Sequence, residues 1–401
     1  MKLAFFGYPH LGGTFTVFRH LRDGLAASGS GIAVEWLGIG PDAHAVLQDH
    51  DWRSEWSTGH AAGSLNDDEP VQAEAMISHL VREGFDGVVV NVHADRVQTN
   101  LARYLPRSIL RLMIVHNITP ATYSAAVAIR DHVHATVCVS DRIRDDLMEK
   151  HGFRPSAIHR IHNAVELPPP APARRRAASQ PLHLLSLGRV EDQAKGVLWL
   201  PEILARLPDD VSLTVAGDGP DLERLRRAST SLGQRIRFLG RVSPTDVPAL
   251  MASHDVLIAP SRFEGFMITL AEAMAAGCVP VASRIGGVTD TVVEDGVTGL
   301  LFPVGDIAAA AEAIRRLRGD PVLWQVMSRD GPSAMRARFS IDRMARDYEA
   351  LLACLDREPP SIAAPLALDK WRLPRGLRGG LRSHLPTPIK NWLRGIRERA
   401  A

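Results

Sequence analysis

Four side chains in this sequence have types and spacing that could do chemistry: Arg189, Lys195, Glu264 and Glu272. Arg189 and Lys195 belong to one loop, Gly188-Arg189…Lys195-Gly196. A guanidinium offers phosphate oxygens a planar fork and an ammonium offers a compact charge. A diphosphate needs that pair most when its bond to a sugar breaks and charge grows on the leaving oxygen. Taken alone, the loop reads equally as solvated surface charge. The second segment, Ser261-Arg-Phe-Glu264-Gly265-Phe266-Met267-Ile268-Thr-Leu-Ala-Glu272-Ala-Met-Ala-Ala-Gly277, is more specific. Glu264 stands just before an expected helix, where it can accept from sugar hydroxyls. Glu272 stands a little over a turn inside it, where it can accept from a ribose diol. Gly265 lets the backbone approach a ligand, and the helix start presents unpaired amides to phosphate.

These residues need elements to hold them. Short apolar runs alternate with amphipathic segments along the chain. Strands are expected at 3–6, 34–39, 87–92, 112–115, 136–139 and 158–161, then at 182–187, 212–216, 236–239, 256–259, 279–282 and 299–302. Helical patterns lie between them, as at 15–27, 70–83 and 141–150, and later at 197–206, 222–232, 245–251, 269–276 and 307–318. Near-continuous apolar strands separated by helices imply parallel sheets covered on both faces. The fold class expected is α/β, with two doubly wound Rossmann-like domains in series facing a cleft. Ligands bind at the carboxyl ends of such sheets.

Residues 1–166 form the first domain in this reading, a Pro- and Arg-rich linker spans 167–181, and the second domain spans 182–340. An amphipathic helix at 341–358 returns to the first domain, and 359–401 is a basic tail. Asp67-Asp68-Glu69 reads as solvated charge in a polar loop.

The chain has 401 residues, more than one core usually supports, with 45% hydrophobic and 23% charged residues. A net charge of +2 argues against nucleic acid as a partner. Cys138, Cys278 and Cys354 are few and far apart, have no metal-ligand spacing, and read as buried free thiols in a reducing compartment. The first apolar run is too short for a signal peptide and no segment has the length of a spanning helix, so a cytoplasmic site is expected, at most on the inner face of a membrane. From Lys370 to Ala401 nine Lys/Arg face one acid, Glu398, with Trp371 and Trp392 interleaved. That mixture suits an anionic membrane surface, and equally an unstructured tail or a helix packed on the first domain.

The glutamate pair, the preceding Pro260-Ser261, and the Gly188-Arg189…Lys195-Gly196 loop resemble family 4 retaining glycosyltransferases of the GT-B fold. Ala216-Gly217-Asp-Gly-Pro220, Phe238-Leu-Gly-Arg241 and Gly286-Gly-Val…Asp295-Gly-Val-Thr-Gly-Leu300 fit that family in the same order. The resemblance covers nearly all of 181–355 and extends more weakly over 1–166. It implies a nucleotide-sugar donor as substrate, no cofactor and no metal, and a glycan, lipid-linked or small-molecule acceptor. Arg189 and Lys195 would bind the donor diphosphate, Glu264 the sugar and Glu272 the ribose, with Gly188, Gly217, Gly265, Phe266, Met267 and Ile268 around them. The loop at Arg241 would lie near the base.

In the first domain, Gly12-Gly13 match the glycine loop that faces donor and acceptor, and His116 in Ile114-Val-His-Asn117 matches the histidine near the reacting carbon. His116 also reads as a satisfied structural residue, as does His93 at another strand end. Asn163-Ala-Val-Glu166 resembles the Asn-Gly-Val-Asp that closes the family's first domain. Two departures stand out: alanine follows Asn163, and Met267-Ile-Thr stands where glycine, an aliphatic residue and proline are common. The second flanks the sugar pocket and leaves the donor sugar open.

No second carboxylate stands out as a nucleophile opposite Glu264, so a same-face reaction assisted by the leaving phosphate is the mechanism expected. An epimerase would not need the glutamate pair, a phosphorylase would usually carry a cofactor lysine, and a non-catalytic nucleotide-binding subunit would not need Lys195, Arg189 and Glu264 together.

Overall fold

A computed structural model describes residues 1–64, 66–92, 95–169, 174–177 and 179–378. The chain divides into two compact units. Among the described residues, unit 1 is Met1–Ala164 joined by 341–378, and unit 2 is Val165–Ser340.

In unit 1, seven parallel strands run β1 (Lys2–Phe6), β2 (Ala33–Ile39), β3 (Gly59–Ala62), β4 (Gly87–Asn91), β5 (Leu110–Val115), β6 (Ala135–Cys138) and β7 (Ile158–Arg160). Their order in the sheet is β3-β2-β1-β4-β5-β6-β7. β4 and β6 are buried along their whole length, which is why their apolar runs are continuous rather than alternating. The edge strand β3 has no counterpart in the sequence reading. Its Gly-His-Ala-Ala carries no β-branched residue, and it exists because Gly59 slides against Trp36, whose carbonyl oxygen would lie 2.2 Å from an added Cβ.

Unit 2 repeats the scheme with β8 (Leu182–Leu187), β9 (Val211–Ala216), β10 (Ile236–Gly240), β11 (Val256–Ala259), β12 (Val279–Arg284) and β13 (Leu300–Pro303), ordered β10-β9-β8-β11-β12-β13. Both sheets are doubly wound, and strand order reverses between β1 and β4 and between β8 and β11. Unit 2 also contains a helix the sequence reading lacks, Pro321–Arg338, with Pro332 in its interior. Proline forfeits a helical hydrogen bond. Burial of Trp324, Met327 and Met335 offsets that loss, and the Trp324 indole donates to Asp255 O at 2.9 Å.

Three segments depart from their sequence readings. The first boundary falls at 164/165 rather than 166/167, because Val165 bridges Ser340 and donates to Phe339 O at 2.9 Å inside unit 2. Within the stretch read as a linker, Arg174 donates to His254 O at 2.6 Å and pairs with Asp255 at 3.1 Å, and Arg176 is buried. Those residues are part of unit 2 rather than a free spacer.

The start of the stretch read as a tail is bound to unit 1. Ala363 donates to Asp131 O, Leu366 to Arg103 O, and Trp371 packs on Tyr104 with centroids 4.6 Å apart. Gly376 passes so close to Ser124 that a Cβ would come 2.1 Å from its carbonyl oxygen. Helix Ile341–Arg357 lies along helix Gly13–Ser28, where Gly24 leaves room for Ile341 and Ala345.

Asp68, read as solvated, caps helix Glu69–Arg82 through Val71 N, and Asp67 accepts from Ser64 N. Cys138 and Cys278 are buried, whereas Cys354 is exposed on the outer face of helix Ile341–Arg357, between the inward-facing Leu351, Leu352 and Leu355. Among the described residues no helix is long and apolar enough to cross a membrane.

Candidate functional site

In unit 2 the loops after β8 and β11 leave the sheet at the reversal of strand order, the position at which doubly wound sheets bind ligands. A solvent-open hollow lies there, lined by Gly188, Arg189, Lys195, Ser261, Glu264 and Met267, among others. Lys195 Nζ lies 2.6 Å from Glu264 Oε1, and Ser261 Oγ donates to the same oxygen at 2.8 Å. Glu264 is 9% exposed, so its carboxylate is held by a cation and a hydroxyl rather than by water. Arg189 differs: its side chain is 67% exposed, with Glu191 at 3.9 Å as a distant partner. Its guanidinium is therefore available to a ligand in a way that the Lys195 ammonium, already in contact with Glu264, is not.

Glycines set the walls. Gly217, at φ +141°, lies so close to Gly188 that an added Cβ would sit 1.8 Å from its carbonyl oxygen. Gly219 crosses Val190 in the same manner, and Gly196, at φ +61°, crosses Pro260. The Ala216-Gly-Asp-Gly-Pro220 motif thus presses the loop after β9 onto the loop that carries Arg189. Gly217 was assigned above to donor contact, and its closest neighbour is Gly188 rather than the hollow.

Of the four side chains that opened the reading, three share this hollow. Glu272 sits within helix Ile268–Ala275, partly exposed, and is not part of the lining. Gly265 and Phe266 are buried in the loop before that helix, and Phe266 packs on Phe339 with centroids 5.7 Å apart. Met267 is the N-cap residue of that helix and lines the hollow, and Ile268 begins the helix. Arg241 is exposed just past β10 and also lies outside the lining.

In unit 1, Gly12 and Gly13 open helix Gly13–Ser28 beyond β1. His116 follows β5, and its Nε2 lies 2.8 Å from Asn91 Oδ1 at the end of β4. Asn91 Nδ2 donates to Phe6 O at 2.6 Å. A carbonyl accepts only, so this bond fixes the amide, and its oxygen faces His116. The imidazole must then donate from Nε2, which leaves Nδ1 as the basic nitrogen.

Burial pushes the His116 pKa down to about 4, from the ordinary value near 6.5. The ring is neutral near pH 7 and able to accept from a hydroxyl. Between pH 4 and 6.5 the unfolded chain binds the proton that the folded ring refuses, so this group makes stability rise with pH across that window. His116→Gln is expected to flatten the fall in melting temperature between pH 6.5 and 4.5, and melts of both proteins across that range check it.

Ser261 and Asn91 are partners that the sequence alone does not single out, although Ser261 stands in a quoted motif. His93 lies outside the described residues, as do 379–401 of the basic tail. Among the described residues no three His, Cys, Asp or Glu side chains gather as a metal ligand set.

The family model for Glycosyl transferases group 1 matches residues 181–320. A phosphatidyl-myo-inositol mannosyltransferase of Mycobacterium leprae is 40% identical over 157 residues, which is 38% of this chain and 41% of that protein. The chain thus aligns with less than half the length of that relative. Sucrose-phosphate synthase from Thermosynechococcus elongatus superposes with a TM-score of 0.73 at 21% identity, covering 89% of this chain and 99% of that one. Anabaena HepE, solved with UDP and glucose, superposes with a TM-score of 0.71 at 17% identity, covering 88% and 100%. At those identities the two structures speak to the fold.

Proposed function

We propose, for a chain that carries a glycosyl transferases group 1 domain over residues 181–320 on the GT-B fold, that it is a retaining, metal-independent glycosyltransferase using a nucleoside-diphosphate sugar. The single observation behind this reading is the convergence of Arg189, Lys195 and Glu264 on one hollow at the reversal of strand order in unit 2. The UDP of the HepE complex and the lipid acceptor in the mannosyltransferase's name favour the same classes of donor and acceptor.

Arg189 and Lys195 take the diphosphate, and Glu264 accepts from the donor sugar once Lys195 turns to phosphate. The bond from the anomeric carbon to the phosphate oxygen lengthens and breaks. The acceptor oxygen bonds to the same face of the sugar, and its proton passes to the departing phosphate. The two cations stabilise charge on the leaving group as it develops. His116, neutral, accepts from a sugar hydroxyl through Nδ1. Glu272 and Arg241 contact the ribose and base, and the strand-end loops of unit 1 take a glycan, lipid-linked or small-molecule acceptor.

A thermal-shift panel with UDP, GDP, ADP and dTDP tests the donor site. A ligand at about 100 times its Kd adds about 2.7 kcal/mol to the native state. At least one nucleotide is expected to raise the melting point, with EDTA changing neither that shift nor donor turnover. A flat panel would discard the reading. The basic stretch 370–401 makes an anionic membrane a further partner: the full chain should sediment with phosphatidylserine vesicles and a chain ending at residue 369 should not.

A further inference from the structure

Lys195 and Glu264 lie on different loops, and something must fix the distance between them. Arg262 does this with every part of itself. Its backbone N–H donates to Ala194 O at 2.7 Å, its Nε to Asp192 O at 2.9 Å, and its terminal nitrogen pairs with an Asp192 carboxylate oxygen at 2.9 Å. Its guanidinium lies over the Trp199 ring, 3.7 Å from the centroid. All four contacts fall on residues 192–199, which carry Lys195. Arg262 itself stands between Ser261 and Glu264, whose Oε1 receives both the Ser261 hydroxyl and the Lys195 ammonium.

Asp192 completes the brace. It is 9% exposed, accepts from Leu198 N at 3.1 Å with its other oxygen, and donates its own N–H to Asp221 at 2.8 Å. A planar fork bound through two nitrogens and covered on one face has little freedom left. The Trp199 ring in turn lies against Gly196 and Gly305, where an added Cβ would come within 2.7 and 3.4 Å of it.

We propose that Arg262 and Asp192 are positioning residues that set the Lys195–Glu264 geometry of the donor site, acting through residues 192–199 rather than by touching substrate. The proposal rests on the function proposed above, but its first test does not. Crystal structures of unliganded Arg262→Ala and Arg262→Lys are compared with the parent. The alanine variant is expected to lose the Lys195–Glu264 contact and the lysine variant to keep it in part. An intact contact in Arg262→Ala overturns the proposal.

The second test is calorimetric, with UDP and GDP as probes. Arg262→Ala is expected to weaken the binding nucleotide about tenfold while the melting point stays within a few degrees. Arg262→Lys should recover part of that affinity. On a Lys195→Ala background the same change should cost no more than about twofold, because residues acting as one unit are not additive. A full additive loss on that background overturns the proposal. If the parent binds neither nucleotide while Arg262→Ala still separates Lys195 from Glu264, the donor reading falls and the positioning role stands.

Discussion

Lys195→Ala is expected to lower turnover of the proposed donor by about 10²–10³-fold, the loss typical when a donor aimed at developing charge is removed. The side chain is 32% exposed and its ammonium is in contact with Glu264, so the substitution removes two things. It takes away the cation proposed to meet the leaving diphosphate. It also strips the nearly buried Glu264 carboxylate of its charge partner, leaving the Ser261 hydroxyl at 2.8 Å on that oxygen. An abandoned buried partner costs about 1–3 kcal/mol. The expected signature is therefore a large fall in kcat with a smaller fall in melting temperature.

Arg189→Ala separates the two effects. That side chain is mostly exposed and only loosely paired. Its loss should leave stability within about 0.5 kcal/mol, as for surface substitutions generally, while turnover falls by a comparable order to Lys195→Ala. Single-turnover rates with UDP- and GDP-sugars, beside melting curves, check both variants. Near-parental rates in both would remove the role given to the pair.

Gly217→Ala is the largest stability effect expected in unit 2. The new methyl would sit 1.8 Å from Gly188 O, on a backbone whose φ of +141° is foreign to a residue with a Cβ. The backbone conformation alone costs about 1–3 kcal/mol, and overpacking typically costs a further 1–3 kcal/mol. For a unit of this size, each kcal/mol lowers the melting temperature by roughly 2–4 °C. The drop should be about 5–20 °C on that scale, with loss of nucleotide binding, because the displaced neighbour is the loop that carries Arg189. Gly319→Ala is the control: its added Cβ meets nothing within 4 Å, at the last residue of a helix. A Gly217→Ala protein that melts like its parent would show that the two loops can part without cost.

Strands such as β4, Gly-Val-Val-Val-Asn, announce themselves because burial on both faces demands an apolar residue at every position. Arg189, Lys195 and Glu264 were legible because each sits beside a glycine or a strand end, in a run whose residue types make little sense elsewhere. Helix Pro321–Arg338 was not, since Gly331-Pro332 reads as a break. Its stability comes from Trp324 and from the close approach of Gly331 to Met274, neither of which is local.

The cap at Asp68 has a readable signal, an acid two positions before Pro70 at a helix start, although Asp67-Asp68-Glu69 by itself looks like loose charge. The pairing of Asp192 with Arg262 had none, because the partners are 70 positions apart in sequence. The start of the basic tail is rich in proline and glycine and has no period. Its place on unit 1 depends on Arg103, Tyr104 and Ser124, far upstream.

The return of the chain to unit 1 after Ser340 has a bearing on how the molecule is born. Helix Gly13–Ser28 buries Phe15, Val17, Phe18, Leu21 and Leu25, and helix Ile341–Arg357, with its own buried Met344, Tyr348, Leu351 and Leu352, packs along it. On the ribosome the earlier helix emerges long before the later one exists, by roughly 15–65 s at ordinary synthesis rates. Through that interval the face destined for the later helix has no cover. The usual head-first order of maturation is therefore inverted: the middle of the polypeptide is complete while the portion synthesised first still awaits its closing piece.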